Sequence, residues 1–456
     1  MKRMFKKVLV ANRGEIAVRV IRACRDLGVK AVAVYSEADR ESLHAEMADE
    51  RICLPGFKSA DTYLNIPVIL QAAKETGAEA IHPGYGYLAE NETFAARCIE
   101  AGLVFIGPRP ENIRLAGNKL AAKAKAREAG APVIPGSERE VGSFEEAAAL
   151  ASEIGYPVIL KASAGGGGRG MRICSGPKEL KENFSVAKIE ARSAFGDDTL
   201  YVEKYLPKPR HIEFQILGDK FGKIIHLGER ECTVQRRYQK LLEECPSPAL
   251  DEGLREKMGR AALKIADSLG YFNAGTVEFL LDEKKDFYFV EVNSRIQVEH
   301  PVTEMVTGVD LVKEQIRLSL GEPLGGDFSP SLKRGWALEC RIGAEDPENS
   351  FLPSPGLIER YRPPGGYGIR LDTHVYQGYR IPPYYDSLLA KLIACGPDRE
   401  EAIKIMARAL EEFVIEPVMT TIPLHKKILA HPLFRAGNVD TGFVKLLVPE
   451  KDEDED

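Results

Sequence analysis

Hydrophobic positions in the first hundred residues form short apolar runs that alternate with longer segments of helical spacing. The runs KVLVA, KAVAVYS, AEAIHPG and LVFIGP have the length of buried strands, and GEIAVRVIRACRDLG has the amphipathic spacing of a helix that ends at Gly28. Alternation of strands with helices predicts a parallel, doubly wound sheet. The turn ANRGEIA has one glycine and lacks the GxGxxG of a dinucleotide-binding fold, which argues against a dehydrogenase.

The middle of the chain has a different pattern, in which strands dominate from about residue 208 to 300. The segments with this pattern are HIEFQIL, KIIHLGE, GTVEFLL and FYFVEVNSRIQVE. A helical run from Glu111 to Gly130 precedes them, and a helix near 309–320 follows. From Arg334 onward the chain is rich in Pro, Gly and Tyr, which predicts short strands.

The length of 456 residues is too great for one compact core, so the chain is expected to form several α/β and α+β domains. The expected divisions are an N-terminal domain at 1–115, a central domain at 116–330 with a smaller unit at about 134–206, a C-terminal domain at 331–447 and an acidic tail at 448–456. The tail PEKDEDED is expected to be disordered and to have no catalytic role.

Composition excludes several classes of partner and of site. The net charge of −6 gives no reason to expect nucleic acid or an anionic membrane as a partner, and no apolar run approaches a membrane span. The eight cysteines include no CxxC pair and the eight histidines are dispersed, so neither disulfides nor a zinc site is predicted. A reducing, cytoplasmic location is therefore expected.

A glycine run follows the apolar strand VILKAS and is the first candidate for ligand binding. Gly165 to Gly168, Arg169 and Gly170 could form a nest of backbone amides for anionic oxygens, and Lys161 lies just upstream. This combination favours a triphosphate, although the spacing is not that of a P-loop. The alternative is a flexible loop in solvent.

Two glutamates are predicted to face each other across a hairpin. The segment TVEFLLDEKKDFYFVEVN indicates two strands joined around Lys284 and Lys285, which pairs Glu278 with Glu291. Like charges in directly opposite positions destabilise a sheet unless a cation lies between them. Asn293 would add a third oxygen ligand, and an all-oxygen set suits magnesium. The alternative is an exposed pair of glutamates.

Polar residues continue at alternate positions beyond Asn293, in the stretch FVEVNSRIQVEHP. We expect the strand to extend to Glu299, which would place Arg295 and Glu299 about 13 Å apart at about 3.3 Å per residue. Arg295 could bind a small oxyanion and Glu299 could act as a general base, with Gln297 between them. The alternative is an ordinary solvated face.

The segment GERECTVQRRYQKLLEE carries a dense mixture of charges. Its charged residues are Glu229, Arg230, Glu231, Arg236, Arg237, Lys240, Glu243 and Glu244. Most of them are expected on a solvated surface, because mixed charge is typical of one. Lys240 is the exception, since an ammonium can stabilise an anion or a departing phosphoryl group.

Several motifs together resemble biotin carboxylase, a family of ATP-grasp enzymes. They are VANRGEIAVRVIRAC, AIHPGYGYLAEN, KASAGGGGRGMR, QRRYQK, GTVEFL, NSRIQVEHPVTEMVTG, ALECRIGAEDP, FLPSPG and PPYYDSLLAKL. The resemblance covers residues from about 5 to 445 and implies a central ATP-grasp module with a mobile lid at about 134–206. Ala164, Tyr238, Val292 and Ser294 depart from the usual pattern, and only the nucleotide contact of Tyr238 is placed in doubt.

The resemblance implies a role for each matching residue. Nucleotide contacts are implied for Lys119, Lys161, Gly167, Gly168, Glu203, Lys204, Tyr205, Leu206, His211, Gln235, Tyr238, Glu278 and Glu291. Metal ligands are implied for Glu278, Glu291 and Asn293, and bicarbonate contacts for Lys240, Arg295, Gln297, Val298 and Glu299. Tyr85 and Arg341 match the biotin site, and the matching catalytic set is Lys240, Arg295, Glu299 and Arg341.

The family's reaction implies ATP, Mg²⁺ or Mn²⁺, and bicarbonate, with biotin as the acceptor. Met-Lys-Met, which carries biotin in this family, is absent, so the resemblance implies a separate biotin carboxyl carrier protein and a separate carboxyltransferase. The chain would be the biotin carboxylase subunit of an acetyl-CoA carboxylase or of a two-subunit pyruvate carboxylase, and a homodimer. Half of a carbamoyl phosphate synthetase and a nucleotide-binding regulator without turnover are the alternatives.

Overall fold

A parallel sheet with helices on both faces forms the first part of the protein. The computed structural model describes residues 5–162, 171–196, 198–325 and 335–448. The strands are β1 (Lys7–Val10), β2 (Lys30–Ser36), β3 (Glu50–Leu54), β4 (Ala80–His82) and β5 (Val104–Phe105). The helices are α1 (Gly14–Asp26), α2 (Leu43–Met47), α3 (Ile66–Thr76), α4 (Glu92–Glu100) and α5 (Pro110–Gly117).

The order β3-β2-β1-β4-β5, with every pairing parallel, confirms the predicted doubly wound sheet. Successive side chains of a strand point to opposite faces. Val8 and Val10 accordingly pack with Ile16 of α1, whereas Leu9 packs with Ile69 of α3 on the other face.

The central part contains a small antiparallel sheet and most of a large one. Its elements are α6 (Lys119–Glu128), α7 (Phe144–Ile154), β6 (Val158–Ala162), β7 (Met171–Cys174), α8 (Pro177–Phe195), β8 (Leu200–Lys204), β9 (Arg210–Gly218), β10 (Ile224–Arg236), β11 (Gln239–Cys245), α9 (Glu252–Ser268), β12 (Asn273–Leu281), β13 (Phe287–Asn293), α10 (His300–Thr307) and α11 (Leu311–Ser319). The small sheet, in the order β7-β6-β8, packs against α7 and α8, and these elements lie between residues 134 and 206.

The large sheet joins the central and C-terminal parts of the chain. The C-terminal elements are β14 (Trp336–Gly343), β15 (Glu345–Asp346), β16 (Leu352–Pro353), β17 (Gly356–Leu357), β18 (Arg360–Arg362), β19 (Ile369–Thr373), β20 (Arg380–Ile381), β21 (Leu388–Gly396), α12 (Arg399–Glu412), β22 (Val414–Glu416), α13 (Ile422–Ala430) and α14 (Pro432–Arg435). Eight strands run in the order β13-β12-β9-β10-β11-β14-β21-β19. The prediction of short strands missed β14, β21 and α12.

Two predicted elements have different bounds. The helical run from Glu111 to Gly130 is two helices, because the side chain of Asn118 accepts the amide of Ala121 at 2.9 Å and starts a new helix. The strand predicted to reach Glu299 ends at Asn293. The next amide, that of Ser294, donates to a carboxylate from the N-terminal part, and the chain then turns into α10.

The prediction of a solvated surface for the mixed-charge segment is wrong for most of its residues. Glu229, Arg230 and Glu243 are fully buried, and Glu231 and Glu244 are nearly so. Arg236 is partly exposed, and Arg237 is exposed as predicted. Buried charges of this kind need partners of opposite sign, and the segment lies beside the cleft described below.

All eight cysteines lie in the described part of the chain and are free thiols, as predicted. Within the described ranges, no helix has both the length and the apolarity to cross a bilayer. The glycine run and the acidic tail beyond 448 lie outside the described residues.

Candidate active site

One cleft of about 1140 Å³ brings together most of the residues that the sequence singles out. The predicted residues on its wall are Tyr85, Lys119, Lys161, Glu203, Lys204, Tyr205, Leu206, His211, Gln235, Tyr238, Lys240, Glu278, Glu291, Asn293, Arg295, Gln297, Val298 and Arg341. Glu299 is fully buried beneath the wall, in contact with Lys240 and Arg341. Gly167 and Gly168 lie outside the described residues.

Three carboxylates occupy neighbouring positions on three adjacent strands. Glu278 of β12 pairs with Glu291 of β13, as predicted, although the register shifts by one residue between Glu278 and the turn. On its other side Glu278 pairs with Glu213 of β9. Directly opposite residues share one face of a sheet, where like charges repel. The site therefore needs cations among these carboxylates.

Lys240 is the common partner of the buried carboxylates. Its Nζ lies 2.6 Å from Glu213, 3.0 Å from Glu278 and 2.7 Å from Glu299. Burial alone would lower the pKa of Lys240, but the three carboxylates raise that pKa well above its ordinary value. Burial would likewise raise the pKa of Glu278 and of Glu299, whereas Lys240, with its neighbouring cations, holds both well below the usual range. Lys240, Glu278 and Glu299 are therefore all charged.

The donor set at one end of the cleft fits a hard divalent cation. Glu278 and Glu291 offer opposing carboxylates, and the cation nearest to Glu291 among the described residues is Lys119, at 3.7 Å. The amide of Asn293 donates to Glu278 at 2.8 Å and accepts from Arg295 at 3.2 Å. Two carboxylates and an amide suit Mg²⁺ or Mn²⁺.

His211 stands beside this donor set. Its Nε2 lies 2.9 Å from Glu278, and burial, which lowers the pKa of the ring, is outweighed by Glu278, so that the pKa is raised. Ligand-capable atoms of His211, Glu213 and Glu278 lie within 4.8 Å of one another. Lys240 already supplies a positive charge to this group, because it contacts both glutamates.

Next to the donor set, Arg295 retains free hydrogen-bond donors. Its guanidinium donates to Glu90 and to Gln297, each at 2.8 Å, and to Asn293 at 3.2 Å. A guanidinium has five N–H bonds. Among the described residues, the N–H groups that remain make only one contact, of 3.5 Å, to the carbonyl of Ile296.

Gln297 presents a second unused donor. Its buried Nε2 has no hydrogen-bond partner within the described ranges, and the residue lines the cleft. The backbone here is held on both sides, because His300 donates to the carbonyl of Gln297 at 2.8 Å and Lys391 to that of Val298 at 2.9 Å. Unpartnered donors at a fixed position beside a guanidinium suit a small oxyanion.

Arg341 connects the cleft to Glu299 and Glu243. Its guanidinium donates to Glu243 at 2.6 Å and to Glu299 at 2.8 Å. Burial raises the pKa of Glu243 to about 7, although Arg341 opposes the rise. Tyr85, on the same wall, donates its hydroxyl to Glu15.

The other end of the cleft carries lysines and the end of β8. Lys161 of β6 donates to Glu203 at 2.5 Å, and Lys123 of α6 contacts the other oxygen of the same carboxylate. Burial, together with the ammonium of Lys119, lowers the pKa of Lys161 to about 8. Tyr238 is half exposed here and has a positive φ.

Several residues that build the site were not predicted from the sequence. They are Glu90, Lys123, Glu213, Glu243 and Lys391. Glu90 and Lys391 lie in the quoted motifs AIHPGYGYLAEN and PPYYDSLLAKL, which did not single them out. For Glu213 the signal is the alternation in HIEFQIL, which places its side chain on one face of β9 with that of His211.

Comparison with protein families covers nearly the whole chain. Residues 4–113 match the biotin carboxylase N-terminal domain, residues 118–326 the ATP-binding domain of the carbamoyl-phosphate synthase L chain, and residues 339–446 the biotin carboxylase C-terminal domain. The middle match alone would fit either enzyme, and the flanking matches distinguish them.

Individual relatives agree with these matches. A biotin carboxylase of Nostoc sp. is 56% identical over 97% of this chain and 99% of its own length. The small subunit of 2-oxoglutarate carboxylase from Hydrogenobacter thermophilus is 54% identical over 97% of this chain and 93% of its own length.

A solved structure agrees as well. The biotin carboxylase domain dimer of Hydrogenobacter thermophilus 2-oxoglutarate carboxylase, in complex with MgADP, ADP and bicarbonate, has a TM-score of 0.94 and 53% identity over 99% of this chain and 100% of that chain. Family matches, sequence identity and fold agree along the chain. The chain belongs to the biotin carboxylase family of ATP-grasp enzymes.

Proposed function

We propose that the protein carboxylates biotin held on a separate carrier protein, using ATP and bicarbonate through a carboxyphosphate intermediate. The observation that carries the proposal is Lys240, whose ammonium touches Glu278 at the metal-ligand end and Glu299 at the oxyanion end of one cleft. A phosphoryl group transferred between those ends would pass beside this cation, which suits the developing negative charge.

The nucleotide end binds and orients ATP. Lys119 and Lys161 contact the phosphates, and Glu203 to Leu206 lie on the adenine side. His211, beside the metal-ligand set, also contacts the nucleotide, as do Gln235 and Tyr238. Gly167 and Gly168 are assigned to nucleotide binding from the sequence alone. Glu278, Glu291 and Asn293 would hold Mg²⁺ or Mn²⁺, which neutralises phosphate charge when bound.

The oxyanion end binds bicarbonate between Arg295, Gln297 and Val298. Glu299 accepts the proton of bicarbonate, and a bicarbonate oxygen attacks the γ-phosphorus as its bond to ADP breaks. The products are carboxyphosphate and ADP. Lys240 stabilises the charge on the transferred phosphoryl group.

The bond between the carboxyl carbon and the phosphate oxygen of carboxyphosphate then breaks, which gives carbon dioxide and phosphate. Phosphate takes the ureido proton of biotin, and the resulting enolate attacks carbon dioxide through nitrogen. Arg341 stabilises the enolate oxygen, and Tyr85 forms part of the biotin site. Because carboxyphosphate is labile in water, a lid at about 134–206 that closes over the site would protect it.

A direct assay tests the function. We expect ADP release from ATP and Mg²⁺ to require bicarbonate and to rise when free biotin is added, with the carboxylated product recovered from ¹⁴C-bicarbonate. Release of ADP that is independent of bicarbonate would contradict the proposal. Formation of carbamoyl phosphate with ammonia would favour the carbamoyl phosphate synthetase alternative, which rests on the match of residues 118–326.

Replacement of Arg341 by alanine should impair biotin carboxylation without impairing nucleotide binding. We expect biotin carboxylation to fall by about 100-fold or more, the scale on which one oxyanion donor acts, while nucleotide affinity stays close to that of the unsubstituted protein. Isothermal titration with ADP and the isotope assay measure the two quantities. An equal loss of both would contradict the role of Arg341. Arg360, a surface arginine paired with Glu416, provides the control substitution.

The proposal extends to assembly and location. The partners would be a biotin carboxyl carrier protein and a carboxyltransferase subunit, because relatives are named as subunits of larger carboxylases. A homodimer is proposed by analogy with the Hydrogenobacter dimer. Free thiols at all eight cysteines are consistent with a cytoplasmic location. The proposed divisions remain 1–115, 116–330, 331–447 and the tail.

A further inference from the structure

A glutamate from the N-terminal part reaches the oxyanion end of the cleft. Glu90 lies in the turn before α4, within the motif AIHPGYGYLAEN, and its carboxylate contacts two successive residues after β13. One oxygen accepts the amide of Ser294 at 3.2 Å, and the other accepts Nε of Arg295 at 2.8 Å. No other described residue of the N-terminal sheet unit hydrogen-bonds to this guanidinium.

These contacts fix the plane of the guanidinium. Glu90 holds Nε, Gln297 holds Nη1 and Asn293 holds Nη2, so each nitrogen of Arg295 has one partner. An arginine side chain otherwise has many rotamers, whereas recognition of a planar oxyanion needs two donors in a defined plane. With three partners, the remaining donors on the terminal nitrogens have a fixed direction.

We propose that Glu90 is a positioning residue for bicarbonate, which acts by orienting Arg295 and the backbone at Ser294. The inference rests on the proposed function, because it assigns Arg295 to bicarbonate. Through Glu90, the N-terminal unit would take part in substrate binding in addition to lining the cleft.

A purely structural role would have a different signature. Glu90 is 41% exposed and Arg295 20% exposed, and an ion pair of such exposure contributes little to stability. Loss of Glu90 should therefore leave the protein folded. If the pair merely joined two parts of the chain, its loss would disturb the nearby metal ligand Asn293 and hence nucleotide binding as well.

The test compares Glu90→Gln and Glu90→Ala with the unsubstituted protein. Glutamine can accept from only one of the two donors, because its amide nitrogen faces the other. We expect the KM for bicarbonate to rise about 10-fold for Glu90→Gln, the effect of weakening one charged hydrogen bond, and further for Glu90→Ala. The KM for ATP, the melting temperature and the kcat at saturating bicarbonate should stay nearly unchanged.

Glu92→Gln is the matched control, because Glu92 is a similarly exposed carboxylate two positions away that lies 3.7 Å from Arg114. An unchanged KM for bicarbonate in both Glu90 variants would overturn the role of Glu90. Parallel rises in the KM for bicarbonate and for ATP, or a lowered melting temperature, would also overturn it. Absence of bicarbonate-dependent cleavage in the unsubstituted protein would overturn the proposed function itself, and with it this inference.

Discussion

Replacement of Glu299 by glutamine should lower bicarbonate-dependent ATP cleavage by about 100- to 10,000-fold, the range over which a general base contributes. Glu299 is fully buried, and its two oxygens contact Lys240 at 2.7 Å and Arg341 at 2.8 Å. Burial would raise the pKa of Glu299, but these cations hold it well below its ordinary value of 4.5. The carboxylate is therefore ionised and able to accept a proton at neutral pH, whereas the neutral amide of glutamine cannot accept one.

A carboxylate with a lowered pKa is a weak base, so proton transfer to it is unfavourable unless the pKa of bound bicarbonate is lowered as well. The same two cations supply that effect, because Lys240 and Arg341 would stabilise the second negative charge on bicarbonate as its proton leaves. The pH dependence follows from the direction of the shift. Glu299 stays deprotonated at any pH above its lowered pKa, so it should contribute no acid limb to the rate between about pH 6 and 9.

The matched control is Glu304→Gln. Glu304 is a buried glutamate on α10 that pairs with Arg19 and Arg370 outside the cleft. We expect Glu304→Gln to keep most of its activity per folded molecule and Glu299→Gln to keep its affinity for ADP, measured by titration calorimetry. A loss below about 10-fold for Glu299→Gln would contradict a role as general base, since such a role is worth more than that.

The metal-ligand end of the site was predictable in outline because a local turn brings its two strands together. Asp282 accepts the amides of Lys284 and Asp286, each at 2.9 Å, and closes the hairpin between β12 and β13. The pairs next to the turn, Leu281 with Phe287 and Leu280 with Tyr288, would by themselves place Glu278 opposite Val290. An irregularity between Glu278 and Phe279 shifts the register by one residue and places Glu278 opposite Glu291. The turn joins the two strands, whereas the shift that brings the two glutamates together was not predicted from the sequence.

The end of β13 was not predictable in this way. Alternating polar residues continue to Glu299, yet the strand stops where Glu90 takes the amide of Ser294. Glu90 lies 204 positions away along the chain. Local periodicity contains no information about a contact over such a distance, so the predicted row of side chains along one strand is a strand followed by a loop and a helix.

The burial of the mixed-charge segment has the same origin. Arg230 is fully buried because residues of four other positions, Glu213, Gln215, Thr276 and Thr303, accept its hydrogen bonds. Each acceptor comes from another strand or helix. Composition alone predicts a surface, and only the assembled sheet shows that each nitrogen of this guanidinium has a partner.

Lys240→Met should have the largest effect on stability, because it removes the shared cation of Glu213, Glu278 and Glu299. Breaking a buried ion pair costs about 3–5 kcal/mol of the free energy of unfolding. Activity should be lost as well, since the transferred phosphoryl group loses its cation. Urea unfolding followed by circular dichroism measures the stability.

The loss of stability should depend on pH in a defined direction. In the unsubstituted protein, the raised pKa of Lys240 contributes stability below its ordinary value of 10.5, and this contribution is lost only as pH rises through the raised value. The lowered pKa values of Glu278 and Glu299 contribute stability above the ordinary 4.5, which is lost as pH falls through the lowered values. Without the ammonium, these carboxylates are expected to bind protons more readily. The deficit of Lys240→Met should therefore be larger at about pH 8 than at about pH 5.

Lys404→Met is the control, because Lys404 is 57% exposed and pairs with Glu400 on the surface of α12. It should change the free energy of unfolding by less than about 1 kcal/mol at either pH. A deficit of Lys240→Met that grows as pH falls would contradict the lowered pKa values of Glu278 and Glu299. A deficit that is as small as that of the control would mean that these two carboxylates are already protonated in the folded protein. In that case Glu299 would hold its proton and could not take one from bicarbonate, so this measurement of stability also tests the proposed chemistry.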